Sequence, residues 1–154
     1  MKNWLFIVFL TTAVSFGVTV KGVTIGAKGR EGVITTTFGG LNVELAILTL
    51  NDETVYGTYI VPTGSDNRVY WHDVERVVKG MAENYGLSFK WKPDGLGDPE
   101  EGTYSAEKNE YLYVVVVSHN AYLDKEYQIK IGIMSNTLME RNQAEEQEEA
   151  NSDF

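Results

Sequence analysis

WHDVERVVKGMAENY, residues 71–85, is the stretch whose apolar side chains recur at helical spacing. Trp71, Val74, Val78, Met81 and Tyr85 follow one another at intervals of 3, 4, 3 and 4, which lines one face of an α-helix. Ser65, Asp66 or Asn67 can cap its start, and Gly86 supplies a glycine stop. Everything around this helix reads differently. Upstream, β-branched residues dominate Val18–Ile25, Gly32–Phe38, Asn42–Leu50 and Thr54–Val61, with Gly39-Gly40 and Asn51-Asp52-Glu53 as turns. Downstream, Leu87, Phe89 and Trp91 alternate with Ser88, Lys90 and Lys92 up to Pro93. The polar stretch PDGLGDPEEGTYSAEKN then reads as a long loop. Tyr111–Val117, with four successive valines, reads as a central strand buried on both faces. Tyr127, Ile129, Ile131 and Ile133 read as its hairpin partner across a turn near Leu123–Glu126. One helix among strands predicts an α+β domain: a largely antiparallel sheet of six or seven strands with the helix of about residues 70–85 packed on it.

Composition agrees with a folded chain. Of 154 residues 43% are apolar and 12% aromatic, enough to build a core. There is no cysteine, which excludes disulfides, thiolate metal sites and a cysteine nucleophile. The net charge is −9, and such a field repels phosphate polyanions. Residues 140–154 hold six acids against Arg141 alone, without apolar periodicity, and are expected to be an acidic disordered tail. Its ending, EEQEEANSDF, closes on Phe154. This ending resembles the acidic tip that bacterial and phage single-stranded DNA-binding proteins use to recruit partners, and the resemblance covers about ten residues.

The N-terminus carries Lys2, an apolar run from Trp4 to Leu10, then small and hydroxyl residues through Ser15. That is the layout of a secretory signal peptide at residues 1–17, with Ala13 and Ser15 at the −3 and −1 positions or a cut after Gly17. Two other readings stand beside it. Trp4–Val20 is long enough for a short uncleaved anchor, and a short apolar run is also what a buried first strand looks like. The expected domain proper runs over residues 18–139.

Sites that carry chemistry are few. Gly26, Gly29 and Gly32 are followed by a strand and no Lys-Ser or Lys-Thr pair, so a phosphate loop does not fit. No serine lies in a Gly-x-Ser-x-Gly elbow. Asp98, Glu100 and Glu101 fall in the polar loop, where carboxylates lack the burial that tunes them. His72, at the helix start, and His119, at the end of the valine strand, are the two imidazoles. Both stand where ligands often bind, but no third ligand is spaced to complete a metal site with them. In Phe89-Lys90-Trp91-Lys92 alternation sends the rings to one face and the lysines to the other, which weakens a nucleic-acid platform. Tyr56, Tyr59, Tyr104, Tyr111, Tyr113 and Tyr122 are aromatic candidates for a contact surface. The expected contact residues are His72, His119, Tyr104 and Phe154, with no catalytic set, metal or cofactor. The reading that follows leans away from an enzyme. It is a small periplasmic or secreted protein that binds, inhibits or structures the envelope, with another protein as partner and no stable membrane insertion unless the N-terminal segment is uncleaved. Its alternative is a cytoplasmic single-stranded nucleic-acid-binding protein with an oligonucleotide-binding barrel and a partner-recruiting tail.

Overall fold

The computed structural model describes residues 17–95, 101–119 and 126–152. The signal-peptide reading therefore falls almost wholly outside the described residues, as do Tyr122, Phe154, Asp98, Glu100 and most of the turn expected at Leu123–Glu126. The fold is α+β. A two-stranded hairpin, β1 (Thr19–Val20) and β2 (Val23–Thr24), precedes a seven-stranded antiparallel sheet. The sheet comprises β3 (Gly32–Phe38), β4 (Leu41–Thr49), β5 (Val55–Pro62), β6 (Lys90–Pro93), β7 (Gly102–Lys108), β8 (Tyr111–His119) and β9 (Tyr127–Ser135). Helix α1 (Trp71–Tyr85) joins β5 to β6, and α2 (Asn136–Ser152) follows β9. Strand order is β3-β4-β5-β9-β8-β7-β6. Two meanders thus meet at β5 and β9, and the sheet is open, with β3 and β6 as edges. It does not close into the barrel that the nucleic-acid alternative invokes.

Local sequence explains most of these elements. Gly39 and Gly40 have φ of 58° and 82°, the pair of positive angles that a two-residue type I′ turn requires between twisted strands. Lys21 (φ 49°) and Gly22 (φ 85°) make a similar reversal, which divides the single strand expected at Val18–Ile25 into β1 and β2. Helix α1 occupies the span its periodicity indicates and ends at Gly86 in the left-handed conformation (φ 63°). Its start is capped from within: the Asp73 carboxylate accepts the Tyr70 N–H at 3.0 Å. Asp66, expected near the cap, instead accepts the Asn42 N–H at 2.7 Å and ties the 3₁₀ turn Gly64–Asn67 to β4.

One face of the sheet carries the core. Across it run Leu45, Ile60, Ile131 and Val115 in register, each fully buried. Val74, Val77 and Met81 of α1 and Val20, Val23 and Ile25 of the hairpin cover them. The other face is half open. β8 is therefore not buried on both sides, because Tyr113, Val115 and Val117 are buried while Val116 is 36% exposed.

Two further expectations are corrected. The polar stretch 93–109 is not all loop: Gly102–Lys108 is β7, paired with β6 on one side and β8 on the other. The acidic segment 140–154 is helical as far as Ser152. No α2 residue is buried, so apolar periodicity could not announce the helix. Polar groups anchor it. The Ser135 hydroxyl accepts the Leu138 N–H at 3.3 Å as a cap. The β4–β5 turn then reaches α2 through Asn51, whose main-chain N–H and side-chain amide donate to Glu145 (3.0 Å) and Glu149 (2.9 Å). Arg141 meets Asp52 at 3.1 Å and Glu145 at 2.9 Å.

Asp52 is the knot of this contact. The Thr54 hydroxyl and main-chain N–H, together with Lys28 and Arg141, hold its carboxyl far below the ordinary value of 3.8. A depressed carboxylate contributes above its unfolded value and loses that contribution as pH falls through the folded one. Asp52→Ala is accordingly expected to raise hydrogen exchange along residues 141–152 while leaving β8 and β9 protected, and acidification below pH 4 should do the same to the parent. Unchanged exchange in α2 would show that Asp52 does not hold it.

Candidate functional site: an aromatic strip at the β6–α1–β9 corner

Val69 and Tyr127 form an isolated antiparallel bridge and exchange main-chain hydrogen bonds of 2.9 and 2.8 Å. They pin the approach to α1 against the start of β9, which sets Trp71 beside Tyr127, 5.5 Å between ring centroids and edge to face. From there rings continue in both directions. His119 lies 5.4 Å from Tyr127 on one side, its cross-strand partner. On the other, Trp91 lies 6.2 Å from Trp71, Tyr104 lies 4.5 Å from Trp91, and Phe89 lies 6.5 Å from Tyr104. Six rings, from β6, β7, β8, β9, α1 and the α1–β6 connection, form one strip. These separations and tilts fall in the range where aromatic pairs attract beyond simple burial.

Tyr127 is buried, but Trp71, Phe89, Trp91, Tyr104 and His119 keep part of their surface open. Two carboxylates lie near parts of the strip. Glu101 accepts the His119 main-chain N–H at 2.6 Å, Glu126 adjoins Tyr127 in sequence, and Glu75, with burial the larger cause, pushes the Tyr104 phenol upward. Arg68 lies 3.8 Å from Glu126. The arrangement can offer ring faces and carboxylates to a ligand. Among the described residues no group of three or more His, Asp or Glu is placed to hold a metal ion.

The structure therefore brings together two of the expected contact residues, His119 and Tyr104, and leaves His72 apart. The His72 side chain is 71% exposed, 3.5 Å from Asp73, and its ring stacks on Tyr70 at 5.8 Å. Asp73 is already engaged by Arg76 at 2.7 Å. Of the other tyrosines, Tyr111 and Tyr113 are core, and Tyr59 is 38% exposed on the open face of the sheet. Sequence reasoning missed Trp71 and Trp91 as members of the strip that begins at His119. Trp71 reads as a core position of α1 and Trp91 as the buried face of a strand, and only the packing shows both at a half-open corner. At the other end of α1, a cleft of about 250 Å³ has Phe38, Val77, Met81 and Tyr85 as lining with Lys21 and Asn84.

No family model, curated protein or solved structure matches the chain. No helix among the described residues is long and apolar enough to cross a membrane.

Proposed function

We propose that the protein is a small exported binding domain, periplasmic or secreted, that inhibits or holds another protein or serves the envelope through the aromatic strip. The observation that carries the reading is the strip itself: five partly open rings contributed by separate segments, with Glu75 and Glu101 beside it. Large, stiff aromatic side chains contribute contact area at low entropic cost and are enriched where proteins meet. These acids favour a partner surface carrying lysines or arginines. Export rests on the layout of residues 1–17. Val18 is already tied to the body, its carbonyl accepting the Ile25 N–H at 2.9 Å, so a cut between Ser15 and Gly17 would spare the domain.

The nucleic-acid alternative has less support. In β6, Trp91 shares the core face with its partner Tyr104, whereas Lys90 and Lys92 point to the opposite face beside Ser105 and Thr103. Rings and cations cannot then grip one strand together.

The test joins location to binding. Intact mass after fractionation is expected to give mature protein beginning at or near Phe16 outside the cytoplasm, and full-length protein from Met1 in the cytoplasm would reject export. From an envelope extract, the parent should retain a protein partner that Trp91→Ala holds at least about 30-fold more weakly, the loss typical of a central aromatic contact. Equal retention by both would reject the strip as the contact surface. Salt-sensitive binding of a labelled single strand, weakened by replacing Lys90 or Lys92, would favour the alternative instead.

A further inference from the structure

Two residues are poorly suited to their local structure, and both line the cleft near the end of α1. Lys21 is the first residue of the two-residue turn between β1 and β2, with φ of 49°. That position favours glycine, asparagine or aspartate, because a long side chain at positive φ is strained. Gly80 lies inside α1, where glycine is the least favourable residue after proline. Its φ is not positive, and a Cβ added there would meet nothing within 4 Å outside its own helix turn. Neither backbone nor packing requires this glycine. Gly39, which also lines the cleft, differs: its φ is 58°, and a Cβ there would stand 2.8 Å from Val77. The floor of the cleft is apolar, with Phe38, Val77 and Met81 buried and Tyr85 half-buried. Lys21 and Asn84 are exposed at its rim. Lys21 is the one charged side chain in the lining, and among the described residues no ion pair involves it.

We infer that the cleft binds a small amphiphilic carboxylate, a hydrocarbon chain of about six to eight carbons whose acid group meets the Lys21 ammonium and the Asn84 amide. Size sets the length. A volume of about 250 Å³ holds roughly eight water-sized groups at about 30 Å³ each, less than the ~300–1,000 Å³ of pockets that enclose drug-sized ligands. The lining sets the chemistry. Buried apolar side chains leave a polar group without a partner, so the body of the ligand is hydrocarbon. The head is an anion, because an unneutralised cation stands at the rim of a chain whose net charge of −9 keeps anions away from most of its surface. Gly80 leaves its side-chain volume to the ligand, and Lys21 accepts a strained backbone to hold its charge there. Two local rules are broken at positions far apart in the chain that meet at one cleft, the pattern expected where function overrides local preference.

The inference is independent of the aromatic strip, which meets α1 at its other end through Trp71. Titration of the purified chain with sodium octanoate, followed by nuclear magnetic resonance, is expected to saturate with a dissociation constant of about 10–300 μM, the affinity that about ten heavy atoms support. The amide signals of Lys21, Gly22 and residues 77–85 should shift. Octylammonium, equal in length and opposite in charge, should bind at least about tenfold more weakly. Lys21→Asn suits the turn, so it should keep or raise the melting temperature while weakening octanoate at least about tenfold, whereas Lys21→Arg should hold octanoate within about threefold of the parent. Gly80→Ala should raise the melting temperature by about 2–4 °C, and Gly80→Leu, with its side chain in the cleft, should abolish binding. No saturable shift at these amides, equal binding of octanoate and octylammonium, octanoate binding indifferent to Lys21→Asn and Gly80→Leu, or a lowered melting temperature for Gly80→Ala would each overturn it.

Discussion

Ile131→Ala is expected to lower the unfolding free energy by about 3–4 kcal/mol, within the range for large-to-small changes at fully packed aliphatic sites. Ile131 is 0% exposed and sits on β9, the strand where the two meanders join. Its neighbours in register are Ile60 of β5 and Val115 of β8, both also 0% exposed. Removing three carbons there forfeits transfer free energy and leaves a void that strands held on both sides cannot close. Val33→Ala on exposed β3 is the control and should change stability by less than about 0.5 kcal/mol, as exposed surface substitutions usually do. Urea denaturation of both proteins checks the pair of values. A loss below about 1 kcal/mol at Ile131 would mean that the β5–β9 junction is not the centre of the core.

Alkaline pH is expected to unfold the domain as pH rises through 10 to 12. Burial pushes the Tyr113 phenol up to about 12 from its ordinary 10, with Tyr85 and Tyr111 adding in the same direction. Burial is also the leading cause of the upward shifts of Tyr56, Tyr85, Tyr104 and Tyr111. A group whose folded value is raised contributes stability in full below its unfolded value and loses it as pH rises toward the folded one. Five phenols acting in one window make the loss cooperative. Circular dichroism recorded together with tyrosinate absorbance should show ionisation and unfolding together. Tyr113→Phe should move the transition upward in pH while changing stability at neutrality by no more than about 1 kcal/mol, the net worth of one hydroxyl hydrogen bond. Tyrosine ionisation complete by pH 10 with the fold intact would contradict the burial described for Tyr113.

Helix α1, the β3–β4–β5 meander and the β8–β9 hairpin were legible in the chain because each announces itself over a few residues. The 3-4-3-4 spacing from Trp71 to Tyr85, the Gly39-Gly40 turn and the alternation from Tyr127 to Ile133 are local signals with a direct steric cause. β7 was not legible. Gly102-Thr-Tyr-Ser-Ala-Glu-Lys108 has only Thr103 and Tyr104 as strand formers among residues depleted from strands, and β6 and β8 present hydrogen-bonding edges on both its sides. Tyr104 was a candidate by residue type alone, and the pairing of β7 gave it a place beside Trp91.

By itself, then, the sequence determined the class of fold, the one core-packing helix, the separation of lysines from rings on β6, and the absence of thiol chemistry, because each follows from residue type and spacing along a short segment. Tertiary structure alone decided three things. It made the acidic segment after Ser135 a helix, since its anchors, Asn51 and Asp52, lie more than eighty residues away along the chain. It gathered His119, Tyr127, Trp71, Trp91, Tyr104 and Phe89 into one strip, since ring contacts form between elements that no local pattern relates. And it put β3 and β6 at the edges of the sheet, since which strand lies at the margin of a sheet depends on the order in which all seven pair.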